Sequence, residues 1–281
     1  SEVVLYDRRK INETGYETRC GEWDAAMLDG VDLVVSSPGF PEHADPVQHV
    51  LAAGIPLVSE MEYAMAHLEI PYGAITGTNG KTTVTATAAA MLQSAGIDAK
   101  PAGNIGNALS DFVADPPAVL VIEASSFQLR FIEAFHPLAA AILNIAPDHL
   151  DWHRDMAEYV AAKQRIFENQ SAHDILVYDV DDEGASSAVV GAPSRLVPVS
   201  GSILPEQGSG VEGDLLRIAG ESFPNPGLDR AYTMDMIAAG EIAAHLGATP
   251  AAIGTTIAAF SPGTHRRTTG GTWDGVTWVN D

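Results

Sequence analysis

Ala74-Ile75-Thr76-Gly77-Thr78-Asn79-Gly80-Lys81-Thr82-Thr83 is the stretch that decides the fold. Its apolar lead-in reads as a buried strand, its small residues as a tight loop, and the alanine-rich residues 84–95 as a helix closed by Gly96. Strand, glycine loop, Lys-Thr and helix in that order form a phosphate cradle. Glycines let backbone N–H groups crowd an anion, and the helix N-terminus adds a favourable dipole. Lys81 reaches the outer phosphates, and the Thr82 hydroxyl suits Mg²⁺. The loop departs from Gly-x-x-x-x-Gly-Lys-Thr because Ile75 stands at the first glycine position, so Gly77 does that job from inside the loop. The plainer alternative is a glycine turn before a surface helix.

Working outward, residues 118–122 form an unbroken apolar run ending in Glu123, as expected of a parallel strand buried on both faces. Ligands of open α/β sheets bind at the carboxyl ends of strands, so Glu123 falls where a carboxylate can hold the Mg²⁺ of a nucleotide. A second apolar strand, 139–143, ends in Asn144 and leads into Pro147-Asp148-His149-Leu150-Asp151-Trp152-His153, where His149 is a candidate metal or phosphate ligand. Upstream, residues 3–6 read as a short buried strand followed by Asp7-Arg8-Arg9. Residues 31–35 read as a strand ending in Ser36-Ser37-Pro38-Gly39, residues 46–53 as a helix, and 55–58 as a third strand. The pattern is α/β and doubly wound.

A helix is expected over about 156–169, with Asp155 and Glu158 as its capping pair and Tyr159, Val160, Ile166 and Phe167 on its apolar face. Lys163 falls on that same face. A buried lysine loses basicity and tends to the neutral amine, whereas a snorkelling lysine merely covers apolar surface with its stem. Residues 101–107 read as a second glycine- and asparagine-rich loop, 175–178 as a strand, and 191–226 as a connection holding short hairpin strands such as 215–218. Helices are expected over about 233–246 and 251–260, the latter capped by Thr249.

With 281 residues, 46% of them hydrophobic, the chain can bury a sizeable core and hold two domains. A net charge of -22 argues against nucleic acid and anionic membrane as partners. Cys20 is the single cysteine, so no internal disulfide forms, and no signal peptide or apolar run of membrane-spanning length is visible. The expected setting is the cytoplasm.

Five blocks stand in the order in which they occur in the Mur ligases, and the chain resembles that family: Thr76 to Thr83, Gly103-Asn104-Ile105-Gly106, Glu123-Ala124-Ser125-Ser126-Phe127-Gln128-Leu129, Asn144 to Asp151, and Ala161-Ala162-Lys163. Within it, the Ser-Ser-Phe-Gln-Leu block and Ser37-Pro38-Gly39-Phe40-Pro41 are most similar to the D-glutamate-adding branch. The resemblance implies an ATP-dependent ligase of peptidoglycan precursor synthesis, joining D-glutamate to UDP-N-acetylmuramoyl-L-alanine through an acyl phosphate. Such chemistry rests on positioning and charge neutralisation more than on a protein nucleophile.

The resemblance also implies roles. Gly77, Thr78, Asn79, Gly80, Lys81, Thr82 and Thr83 bind ATP, joined by Arg266 and Asp281. Thr82 and Glu123 hold one Mg²⁺, and His149 with a carbamate on Lys163 the second. Lys81, Glu123, His149 and Lys163 form the catalytic set. Asp7, Arg8, Arg9, Ser37, Gly39, Asn104, Ser125 and Gln128 bind the UDP-linked substrate. It further implies a monomer with a partial doubly wound substrate-binding domain over 1–70, a central P-loop ATPase domain with a mostly parallel sheet over 71–262, and the first strands of a Rossmann-like amino-acid-binding domain over 263–281. The chain is thus expected to be an incomplete piece of the enzyme.

Two departures accompany the match. Ala231-Tyr232-Thr233-Met234-Asp235 stands where the family carries His-Asn-x-x-Asn against adenine, and Arg267-Thr268 follows His265-Arg266 in place of an apolar residue and Glu. Another amino-acid ligase of the group, a folylpolyglutamate synthase-like enzyme among them, and a non-catalytic nucleotide-binding relative are the competing readings.

Overall fold

The computed structural model describes residues 2–10, 15–261, 268–273 and 276–280. The amino-terminal part contains two small parallel pairs. Strand β1 (Val4–Asp7) lies beside β2 (Glu17–Cys20), and β3 (Val34–Ser36) lies beside β4 (Leu57–Ser59), with helix α1 (Asp45–Ala52) between the latter two in sequence. Helix α2 (Glu60–Met65) follows directly, its first turn capped by the Ser59 hydroxyl, which accepts from the Glu62 N–H at 3.2 Å.

Next comes a six-stranded sheet, every pair in it parallel, in the order β10-β9-β8-β5-β7-β6. Its strands are β5 (Tyr72–Thr76), β6 (Ala99–Gly103), β7 (Val119–Glu123), β8 (Ala139–Ile142), β9 (Ile175–Asp179) and β10 (Arg195–Val199). Helix α3 (Lys81–Ser94) leaves the tip of β5, the short α4 (Ser126–Leu129) follows β7, α5 (Met156–Gln164) precedes β9, and α6 (Glu183–Ala188) follows it. An antiparallel three-stranded sheet of β11 (Gly210–Glu212), β12 (Leu215–Ile218) and β13 (Glu221–Pro224) leads to helices α7 (Arg230–His245) and α8 (Pro250–Ala259).

Alternation along the strands builds two cores. Ile75, Val121, Ala141 and Val177 face α3, α7 and α8, whereas Ala74, Ile122, Ala140 and Leu176 face the layer of α2, α4 and α6. A smaller core joins Val47, Val50 and Leu57 of the amino-terminal part to Phe131 and Trp152. Beside it, Ser59 N–H donates to the Phe131 carbonyl at 2.7 Å and Arg130 pairs with Glu42. Since β5 has β7 on one side and β8 on the other, its tip opens at the point where chain connections diverge, which is where open α/β sheets take ligands.

The architecture is α/β as the patterning predicts, with several corrections. Residues 191–226 are not merely a connection, because they contain β10. Residues 101–107 begin as strand, being the end of β6. Both strands lie at the sheet's edges and each contains a proline, Pro101 or Pro198, which a central strand excludes and an edge tolerates. The first strand is half-buried, and its partner β2 is polar and largely exposed, so no periodicity marks it. The second strand is shifted to 34–36. The helix expected to reach 169 ends at Gln164 and continues as a 3-10 turn, Arg165–Phe167. At the carboxyl end, β14 (Thr268–Trp273) and β15 (Val276–Asn280) form an antiparallel pair. No described helix is long and apolar enough to cross a membrane.

Candidate active site

The loop between β5 and α3 is laced to the segment beyond β8. Thr78 N–H donates to the Asn144 carbonyl at 2.9 Å, Asn79 N–H donates to Asn144 Oδ1 at 2.7 Å, and Ala146 N–H donates to Thr78 Oγ1 at 3.0 Å. Gly80, the residue before α3, has φ 84°, a conformation that suits glycine because no Cβ meets the carbonyl. A Cβ there would lie 2.5 Å from Asp235 Oδ1. Lys81 Nζ folds over the loop and donates to the carbonyls of Gly77 (3.0 Å) and Thr78 (2.8 Å). Thr82 and Thr83 are half-buried in the first turn of α3.

Register places Glu123 opposite Ile75 and Gly103, so the carboxylate stands at the same sheet edge as the loop. It is 2% exposed, its Oε1 accepts from Asn104 Nδ2 at 2.9 Å, and its Oε2 has no hydrogen-bond partner. A buried carboxylate oxygen left unpaired is costly. With the Thr82 hydroxyl, in the first turn of the helix that leaves the neighbouring strand β5, it would make a hard oxygen donor set of the kind that suits Mg²⁺. Among the described residues there is no group of three or more His, Cys, Asp or Glu able to hold a metal ion, so any such site draws on other donors.

Lys163 comes from α5. It is 2% exposed, and its Nζ donates to the Gly77 carbonyl at 2.8 Å and lies 3.4 Å from Thr76 Oγ1. The Tyr159 ring centroid is 4.6 Å away, and the Tyr159 hydroxyl meets Thr78 Oγ1 at 3.1 Å. Burial, reinforced by the charge of Lys81 and opposed by Asp148, brings the Lys163 amine down to about 7. The lysine is therefore not a snorkelling one, and a large neutral fraction exists near pH 7. His149 is exposed, in a left-handed conformation (φ 53°), its ring 4.8 Å from that of Phe127 and its Nε2 3.5 Å from Asp148 Oδ2.

The other predicted residues are distributed less simply. Asn104 braces Glu123. The Ser125 hydroxyl accepts from Gln128 N–H and donates to Gln128 Oε1, forming the capping box of α4, and both side chains are buried. Asp7 pairs with Arg9 at 3.3 Å, and the Arg9 hydrogen bond lowers the Asp7 carboxyl below its usual range; Arg8 is exposed. Ser37 lines a cavity of about 260 Å³ with Tyr6, Arg19, Trp23, Ser36 and Phe40, while Arg8, Arg9 and Gly39 do not. Arg19 and Trp23 escape sequence reading because β2 is short and polar and Trp23 follows it in irregular chain. Arg266 and Asp281 lie outside the described residues.

Beside the phosphate loop, Asn144, Asp179, Asp229, Arg230, Ala231 and Met234 line a cavity of about 340 Å³. One of the positions that depart from the family pattern, Ala231, thus faces it. A larger cavity of about 500 Å³ opens at the other end of the sheet, among residues such as Ile175, Arg195, Glu241 and His245, and contains none of the residues above. Tyr159 and His153 gain a place at the site only through folding. The spacing of Tyr159 and Lys163 puts both on one helix face, whereas nothing in the sequence marks His153.

Fold and site together define a phosphate-loop α/β protein whose loop is overlooked by a buried lysine. Residues 75–199 match the Mur ligase middle domain, and the chain belongs to the Mur ligase family. It is 37% identical over 279 residues to the UDP-N-acetylmuramoylalanine–D-glutamate ligase of Halalkalibacterium halodurans, covering 97% of this chain and 62% of that protein. Against the ligase of the same name from Shouchella clausii it is 35% identical over 296 residues, covering 100% and 66%. Across the curated relatives it matches, the chain spans about half to two thirds of their length, from 48% to 66%. Among solved structures, the UDP-N-acetylmuramate:L-alanyl-gamma-D-glutamyl-meso-diaminopimelate ligase from Neisseria meningitides superposes with a TM-score of 0.61 at 19% identity, over 94% of this chain and 91% of that one. A bifunctional folylpolyglutamate synthase/dihydrofolate synthase superposes at 0.53 with 16% identity, over 75% and 63%. Both establish the shared fold.

Proposed function

We propose that the chain is the nucleotide-binding and carboxylate-activating part of an ATP-dependent ligase that adds D-glutamate to UDP-N-acetylmuramoyl-L-alanine, acting as a monomer in the cytoplasm. The observation that carries the reading is the buried Lys163 amine, 2.8 Å from the Gly77 carbonyl of the phosphate loop. In this reading residues 1–70 hold the UDP-linked substrate, 71–262 hold ATP, and 263–281 begin the unit that takes the amino acid.

The substrate carboxylate attacks the γ-phosphorus of ATP and ADP leaves; the D-glutamate amine then attacks the acyl phosphate, forming the amide and releasing phosphate. Lys81, detached from the loop carbonyls, and the N–H groups of residues 77–83 bind the phosphates. Thr82 and Glu123 would hold one Mg²⁺, and His149 with Lys163 the second. The metal supplies neutralisation of the charge on the phosphate oxygens. For Lys163 to act as an anionic ligand its neutral amine adds CO₂, forming an N–C bond and losing a proton, and its lowered basicity favours that step.

Calorimetric titration with Mg²⁺ and a non-hydrolysable ATP analogue tests the proposal. Binding that disappears in Lys81→Ala supports it, and absence of binding in the unmutated chain refutes a working ATP site here.

A further inference from the structure

His153 precedes α5 and is a buried titratable group that the proposed chemistry leaves without a task. Its side chain is 0% exposed. Nε2 lies 2.9 Å from Ser126 Oγ, and Nδ1 faces Glu158 Oε1 at 3.5 Å; neither of these last two atoms has a hydrogen-bond partner. The imidazole therefore sits between α4, which follows the strand tip of Glu123, and the first turn of α5. Its ring meets the Tyr159 ring edge-on, with centroids 5.3 Å apart, and lies 5.8 Å from Phe127 and 4.5 Å from Trp152. Tyr159 is the residue whose ring lies under Lys163 Nζ and whose hydroxyl meets Thr78 of the phosphate loop. The backbone closes the arrangement, since the N–H groups of Trp152 and His153 both donate to the His149 carbonyl, at 3.0 and 2.9 Å.

We infer that His153 is a positioning residue: held between the Ser126 hydroxyl and the Glu158 carboxylate, it fixes the Tyr159 ring and thereby the place of the Lys163 amine against the phosphate loop. The inference rests on the proposed ligase reading only for the purpose it gives to Lys163. A residue that merely filled space would be replaced by any side chain of similar volume. A polar brace between α4 and α5 is not, because removing one partner leaves buried polar atoms exposed to no compensating group.

The test uses the full chain carrying His153→Phe, His153→Gln or Ser126→Ala. Each is treated with formaldehyde and cyanoborohydride at about pH 10, where a free lysine amine is already partly neutral, so that the yield reports accessibility. Methylation of Lys163 is read by peptide mass spectrometry, alongside thermal melting and titration with Mg²⁺ and the ATP analogue. In His153→Phe, Tyr159 loosens and the Lys163 amine is no longer held against the Gly77 carbonyl, so its methylation rises severalfold as the reagent reaches it. Ser126→Ala raises the yield by a smaller factor, and His153→Gln, which can still meet Ser126, recovers most of the parent behaviour. If His153→Phe does not fold, Ser126→Ala decides the question. A Lys163 methylation yield identical to that of the parent in every folded variant overturns the inference. A parent that binds no nucleotide, with the change in Lys163 methylation still present in the variants, removes the ligase reading and leaves this one standing.

Discussion

Lys163 Nζ donates to the Gly77 carbonyl at 2.8 Å, tying a helix to a loop 86 residues earlier in the chain. The amine bears on the stability of this region, because a charge so deeply buried opposes folding until it is neutralised.

The sign of that opposition is fixed. The folded amine is lowered from 10.5 to about 7, so between those values the unfolded chain binds more protons than the folded one and stability rises with pH. Each unit of such a shift corresponds to about 1.4 kcal/mol. Lys163→Met is expected to remove this slope. Urea unfolding of parent and variant at pH 7, 8.5 and 10 checks it, since the other titrating groups cancel in the comparison; parallel curves would contradict the buried-charge account.

Glu123→Gln retains the contact of Oε1 with Asn104 and replaces an unpartnered charged oxygen with a neutral group. The melting temperature is expected to hold or rise, because a buried unpaired charge is lost. Mg²⁺-dependent nucleotide binding falls about tenfold or more, in line with the loss of a metal-site group. Differential scanning fluorimetry and calorimetry read the two effects separately. A lower melting temperature with metal dependence intact would make Glu123 purely structural.

Two glycines should differ in their tolerance of alanine. At Gly103 (φ 95°) a Cβ collides with the Glu123 backbone carbonyl, while at Gly80 (φ 84°) it meets the Asp235 side chain, 2.5 Å away. Both variants incur about 1–2 kcal/mol from left-handed backbone. Gly103→Ala is expected to lose more stability in denaturant unfolding because backbone cannot move aside, and Asp235→Ala should relieve part of the defect in Gly80→Ala only.

Trp152 Nε1–H donates to the Pro38 carbonyl at 3.1 Å, joining the His149 turn to the loop that contains Ser37 and Gly39. Trp152→Phe keeps most of the buried ring but loses this bond, at a cost of about 1 kcal/mol. Hydrogen exchange of residues 36–40 should quicken while that of α3 is unchanged; equal exchange in parent and variant would show that the bond does not hold the loop.

Much of this was legible in the chain. Residues 74–83 announce strand, loop and helix because glycine spacing and apolar runs are local properties, and the apolar runs ending in Glu123 and Asn144 mark strand tips for the same reason. The edge strands β6 and β10 were not legible, since a proline that reads as a strand breaker is harmless where one side of the strand has no neighbour. That Ser125 and Gln128 cap a short helix was not legible either, because the role depends on backbone atoms no motif displays.

The sequence by itself determined the parallel α/β architecture, the phosphate loop and the presence of a lysine on an apolar helix face. Only the tertiary structure decided that this lysine points at Gly77, that Glu123 keeps one oxygen unpaired, and that His153 lies between Ser126 and Glu158. The reason is physical. Periodicity and turn chemistry act between near neighbours, whereas desolvation and the pairing of polar groups depend on atoms brought together from distant parts of the chain.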